Sequence, residues 1–173
     1  MLVMDDGWFG KRDDDNSGLG DWFVNEKKLG GTLGNLIKRI NDLGVKFGIW
    51  IEPEMANTTS ELYEKHPEWV LKAPNREIVL GRGGTQVVLD LSNPEVQDFI
   101  FGIVDNLMTT YPEIDYIKWD ANMSILNHGS QYLPSDQQRH MYIEYHEGFK
   151  KVCERIRAKY PDLTCLLYTS DAA

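Results

Sequence analysis

Apolar positions along the chain alternate between two spacings. Leu2-Val3-Met4, Val45 to Ile51, Val87-Val88-Leu89, Ile114 to Trp119 and Leu163 to Tyr168 are short apolar runs of the kind that form buried strands. Between them the period lengthens to that of a helix. Thr32 to Leu43 places Leu33, Leu36, Ile37, Ile40 and Leu43 on one stripe, and Gly44 follows as a stop. Thr59 to Leu71 is helical in part and is interrupted at Pro67. Asn93-Pro94 joins a capping side chain to a first-turn proline, predicting a helix that runs to about Tyr111 and is stopped by Pro112. A long helix is predicted from Ser135 to about Tyr160. Phe99, Ile103 and Leu107, and Met141, Tyr145, Phe149, Val152 and Ile156, form apolar stripes read as core.

The resulting order, βαβαβαβαβ, predicts an α/β fold with a parallel sheet covered by helices. A doubly wound sheet would carry a glycine-rich phosphate turn after its first strand. That turn here holds Asp5, Asp6 and Trp8. A (β/α)8 TIM barrel instead places its working residues at the C-terminal ends of the strands. Four successive strands in this chain end in polar or aromatic groups, which fits the barrel. A whole barrel takes about 250 residues. The 173 residues are therefore expected to form one partial domain of four to five βα units, about half a barrel.

At 42% hydrophobic and 26% charged residues the chain is globular rather than disordered. Its net charge of -9 disfavours nucleic acid and anionic membranes as partners. No run of about 18 apolar residues is present, and no basic start leads into an apolar leader. Cys153 and Cys165 have no metal-ligand spacing and suit a reducing, cytoplasmic setting. His66, His128, His140 and His146 form no metal spacing on any one element, so neither a metal nor another cofactor is expected.

The chemistry concentrates at strand ends. In Tyr116-Ile117-Lys118-Trp119-Asp120, Lys118 and Asp120 share one face and Ile117 and Trp119 the other. Two charges aimed into a fold are costly unless paired or used. An ionised Asp120 suits a nucleophile beneath an oxocarbenium-like transition state; Lys118 favours the anion, and Asn122 can bond a hydroxyl. The alternative is a structural Lys118–Asp120 ion pair. Asp5-Asp6-Gly7-Trp8 can converge two carboxylates and an aromatic face on a sugar, or be a solvated turn. Trp50, Glu52 and Glu54 are expected on one face, with Glu52 a rival catalytic carboxylate. Arg82, in Gly81-Arg82-Gly83-Gly84, offers a fork of donors on a backbone that permits close approach.

Together, Met4-Asp5-Asp6-Gly7-Trp8-Phe9-Gly10, Gly48-Ile49-Trp50-Ile51-Glu52-Pro53-Glu54-Met55, Leu89-Asp90-Leu91 and Tyr116-Ile117-Lys118-Trp119-Asp120 resemble the bacterial alpha-galactosidases of glycoside hydrolase family 36, in family order. The resemblance implies a retaining hydrolase of terminal alpha-galactosides such as melibiose and raffinose, acting as a homo-oligomer when full length. It places Asp120 on the nucleophile and Asp5 and Asp6 on the acids that hold galactose hydroxyls. Trp50, Arg82, Lys118 and Asn122 fall on positions lining the galactose subsite. Ala121 and Met123 depart from the Met and Arg usual around that asparagine, and Leu166 to Ala173 departs from the family's next strand end. The family's amino-terminal β-sandwich and its acid/base carboxylate would both lie outside these residues, so the chain alone is expected to be inactive. A raffinose synthase-like transglycosylase and a non-catalytic galactose-binding half barrel stand as alternatives.

Overall fold

A computed structural model describes residues 1–122 and 125–169. Met123 and the stretch 170–173, two places where the sequence departs from the family pattern, lie outside the described residues. The core is a parallel sheet of β1 (Leu2–Met4), β2 (Phe47–Ile51), β5 (Ile114–Ala121) and β6 (Thr164–Thr169), in that spatial order. Each strand lies beside the next one to join the sheet, with no reversal of order. The pairing aligns Val3 with Gly48, Ile49 with Ile117, and Ile117 with Cys165. Gly48 is required by close approach, since a Cβ there would stand 2.9 Å from the Tyr116 ring.

The strands of this sheet are linked by helices, as the alternating periods predict. α1 (Glu26–Leu29) and α2 (Leu33–Asn41) lie between β1 and β2. The Thr32 side chain caps α2, and Leu33, Ile37 and Ile40 are buried. Leu43 is 81% exposed, contrary to its place on the predicted stripe. The helix ends at Asn41, and Gly44 turns the chain in a left-handed conformation, which takes Leu43 off the apolar face. α4 (Pro94–Thr110) starts as predicted, with Asn93 Oδ1 accepting from the Glu95 N–H and Pro94 in the first turn.

The strand predicted at Val87–Leu89 is not part of the parallel sheet. After β2 the chain turns at Glu52-Pro53-Glu54 and runs out as β3 (Met55–Asn57). β4 (Gln86–Val88) pairs antiparallel with it as a separate two-stranded sheet. Three residues are too few to show a period, so β3 left no trace in the sequence pattern, and β4 without its partner resembled a core strand. Between them, α3 (Glu61–Lys65) is capped by Ser60 and broken before Pro67, as expected. Consequently the strand bearing Lys118 and Asp120 is the third of the parallel sheet, not the fourth.

α5 (Met141–Lys159) begins later than predicted. Residues ahead of it form a loop fastened by Gln138, whose amide donates to the Ser130 and Leu133 carbonyls. α5 packs on α4, with Arg155 bonded to Asp98 at 2.7 Å and lying over the Phe101 ring. Met141, Tyr145, Val152 and Ile156 are buried, which bears out their reading as core.

Candidate active site at the carboxyl ends of the parallel strands

β5 presents Ile117 and Trp119 to one side and Lys118 and Asp120 to the other. Trp119 packs edge-on against Phe149 of α5, so its face is the helix-covered one. Lys118 and Asp120 project from the opposite face. Register places Trp50 beside Lys118, and the Trp50 Nε1–H donates to Asp120 Oδ2 at 3.1 Å. Asp120 Oδ1 is buried and has no hydrogen-bond partner among the described residues. One carboxylate oxygen is thus held and the other is left for something else.

Lys118 and Asp120 share a face but are not the ion pair considered from sequence. Lys118 Nζ reaches across to Asp5 Oδ2 at 3.2 Å. Asp5 follows β1, so residues far apart in the chain meet at one end of the sheet. Asp6 is turned to a different partner. The buried Arg12 guanidinium forks onto it, with Nε at 3.0 Å from Oδ1 and Nη2 at 2.8 Å from Oδ2. Arg12 also donates to the Ser17 carbonyl at 3.2 Å. No local pattern marks Arg12, because it stands in Lys11-Arg12-Asp13-Asp14-Asp15, which looks like any solvated charge run.

Trp8 does not offer an aromatic face to a ligand. It is 2% exposed, packs with Phe9 and Trp22, and donates its indole N–H to the Trp50 carbonyl at 2.8 Å. Trp50 joins the same aromatic cluster, stacked parallel to Phe9, and is itself buried. What it presents to the site is its indole N–H. Arg82 is exposed in a tight turn at positive φ, near enough for its charge to act on Glu52.

The expectation that Trp50, Glu52 and Glu54 share a face fails at Glu54. β2 ends at Ile51, and the turn through Pro53 carries Glu54 to the helix-covered side, where its Oε2 accepts from Trp119 Nε1 at 2.6 Å. Glu52 is fully buried, and its Oε1 accepts from the Asn122 backbone N–H at 3.1 Å. Burial pushes Glu52 up to about 7 and Glu54 up to about 8. Hydrogen bonds from Asn122 oppose the first shift, and the Glu52 charge adds to the second.

Among the described residues no cluster of His, Cys, Asp and Glu could hold a metal ion, and no helix is long and apolar enough to cross a membrane. A concavity of about 540 Å³ lies elsewhere, between Trp22, Phe23, His66, Trp69 and Phe99, and none of the candidate residues lines it.

The arrangement is therefore a half-buried carboxylate held by an indole N–H, with a lysine, two further aspartates and a glutamate at the same sheet end. The family model described as Melibiase matches residues 1–170. The chain belongs to the melibiase family. Alpha-galactosidase AgaA of Geobacillus stearothermophilus is 45% identical over 163 residues, covering 94% of this chain and 22% of that protein. The bifunctional alpha-galactosidase/sucrose kinase AgaSK of Mediterraneibacter gnavus is 47% identical over 163 residues, covering 94% of this chain and 16% of that protein. The solved alpha-galactosidase of Lactobacillus brevis superimposes with a TM-score of 0.91 at 39% identity, over 97% of this chain and 22% of that one. A variant of the Geobacillus enzyme, described as a GH36 alpha-galactosidase, has been solved in complex with raffinose and superimposes with a TM-score of 0.89. Membership of the melibiase family thus bears out the resemblance to family 36 alpha-galactosidases. The chain spans less than a quarter of the length of these relatives.

Proposed function

We propose that this melibiase segment is part of the catalytic (β/α)8 barrel of a retaining alpha-galactosidase and carries its nucleophile, Asp120. The observation that supports this most is the Asp120 carboxylate itself, with Oδ2 held by Trp50 and Oδ1 buried without a partner among the described residues. The unreversed order of the parallel strands supports a barrel over a doubly wound sheet, which has a switch point.

In the reaction, an Asp120 oxygen attacks the anomeric carbon of a terminal alpha-galactoside. The bond to the leaving oxygen breaks as a second carboxylic acid protonates it. Water then attacks the same carbon, gives its proton to that second carboxylate, and releases Asp120. Asp5, Asp6, Trp50, Arg82, Lys118 and Asn122 line the galactose subsite. Lys118 and Asp5 hold each other in place and share the remaining donors and acceptors with sugar hydroxyls. The acid/base carboxylate is supplied from outside these 173 residues, at about 5–5.5 Å from Asp120 as retention requires. The substrates are alpha-galactoside oligosaccharides of the raffinose type, in keeping with the sugar bound to the related Geobacillus variant. Two unbridged cysteines support a cytoplasmic setting, and the full-length protein is a homo-oligomer.

The test is nucleophile replacement in the full-length protein. Asp120→Gly is expected to abolish turnover, and azide to restore it with a beta-galactosyl azide product. Rescue at Glu52→Gly instead would move the nucleophile to that residue.

A further inference from the structure

The β2–β5 ladder ends where Ile51 pairs with Trp119. Asp120 and Asn122 lie beyond it, yet this end of β5 must be placed accurately if Asp120 is to act. Two side chains from the end of β2 continue the connection. Trp50 donates to the Asp120 carboxylate, and Glu52 accepts from the Asn122 backbone N–H. Glu52 thereby takes the role of the missing ladder acceptor. It does so from a fully buried position, where a carboxyl group is costly unless it is used.

We propose that Glu52 is a positioning residue for the reaction, latching the end of β5 through the Asn122 amide so that the Asp120 carboxylate is held in place. This rests on Asp120 being the nucleophile. The groups facing Glu52 are Asp120 on β5, Glu54 in its own turn and Arg82 from the turn at Arg82–Gly84. Burial raises Glu52 most and the Asp120 charge adds to it, against the Asn122 hydrogen bonds and the Arg82 charge, so the latch works as a neutral acid below about pH 7. A neutral latch binds the backbone N–H without setting a second negative charge beside the nucleophile. It touches neither substrate nor the reacting atoms, which separates it from a catalytic residue.

The experiment uses the full-length protein that contains this segment. Glu52→Ala removes the latch. Turnover of an aryl alpha-galactoside per folded site is expected to fall about 10²-fold, the order of loss that a misplaced reacting group brings, with KM little changed. Glu52→Gln keeps an uncharged acceptor for the Asn122 N–H and is expected to recover most of that loss, whereas Glu52→Leu fills the space without an acceptor and is not. Asp120→Gly with azide is run alongside. If azide rescues Asp120→Gly while Glu52→Ala keeps wild-type kcat, the latch is wrong and the nucleophile stands. The latch is equally wrong if kcat falls only in step with the folded fraction, or if Gln fares no better than Leu. If azide fails at Asp120→Gly, or rescues Glu52→Ala, the nucleophile assignment falls and the latch with it.

Discussion

Two buried glutamates give this protein an unusual pH response at the level of single residues. Glu52 and Glu54 titrate at about 7 and about 8 in the fold against an ordinary 4.5. Between those values the native state holds more protons than the unfolded chain. Their contribution to stability is thus fully present below about 4.5 and is lost as pH rises through about 7 and then about 8. This is opposite to a salt-bridged carboxylate, whose contribution is lost on acidification. Glu54→Gln removes one of the two ionisations. Chemical denaturation of wild type and variant should show the wild-type midpoint falling relative to Glu54→Gln as pH is raised from about 5 to about 8.5. A gap between the two that stays constant with pH would contradict the assignment.

At the level of elements, the two helices that flank β5 each contain an interior glycine, and the surroundings make them opposite cases. In α5, a Cβ on Gly148 would stand 1.8 Å from the Leu91 carbonyl oxygen, which already accepts from Gln97 Nε2. In α4, a Cβ on Gly102 would meet nothing within 4 Å. Alanine gains about 1 kcal/mol of helix propensity at either site. Overpacking against a backbone atom costs about 1–3 kcal/mol or more, so the clash wins at Gly148. Gly148→Ala is expected to destabilise the protein and Gly102→Ala to stabilise it by about 0.5–1 kcal/mol, both read from denaturant midpoints. The same sign at both positions would mean that α5 does not dock on the segment after β4 as described.

For the whole molecule, the parallel sheet has β1 and β6 as its edges, and apolar side chains stand exposed on both. Leu2 is 45% and Val3 37% exposed on one, Leu166 46% and Leu167 44% on the other. Open edges with apolar groups are templates for association. The purified 173-residue chain is expected to self-associate in sedimentation velocity and to cleave no aryl alpha-galactoside, since only one of the two carboxylates is proposed to lie within it. Measurable cleavage by the chain alone would show that the second carboxylate is within it, and cooperative unfolding of a soluble monomer would show that its edges need no cover.

The sequence by itself determined the periodic elements and the face that each presents, because both follow from local geometry. Lys118 and Asp120 must share a face on any strand, and Asn93-Pro94 starts a helix wherever it sits. The same locality let it mark the residues at the strand ends that now converge. Which groups meet across the sheet was decided only by the tertiary structure, since register and turns lie outside any local pattern. Lys118 pairs with Asp5, Arg12 leaves an unremarkable charge run to fork onto Asp6, and Glu54 crosses to Trp119. The antiparallel excursion of β3 and β4 was illegible for the same reason, because it exists through pairing between two strands too short to announce it. So the sequence marked Asp120 as a candidate carboxylate at a strand end. The fold decided what surrounds it: Trp50 donates to its Oδ2, and the buried Glu52 accepts from the Asn122 N–H two residues on.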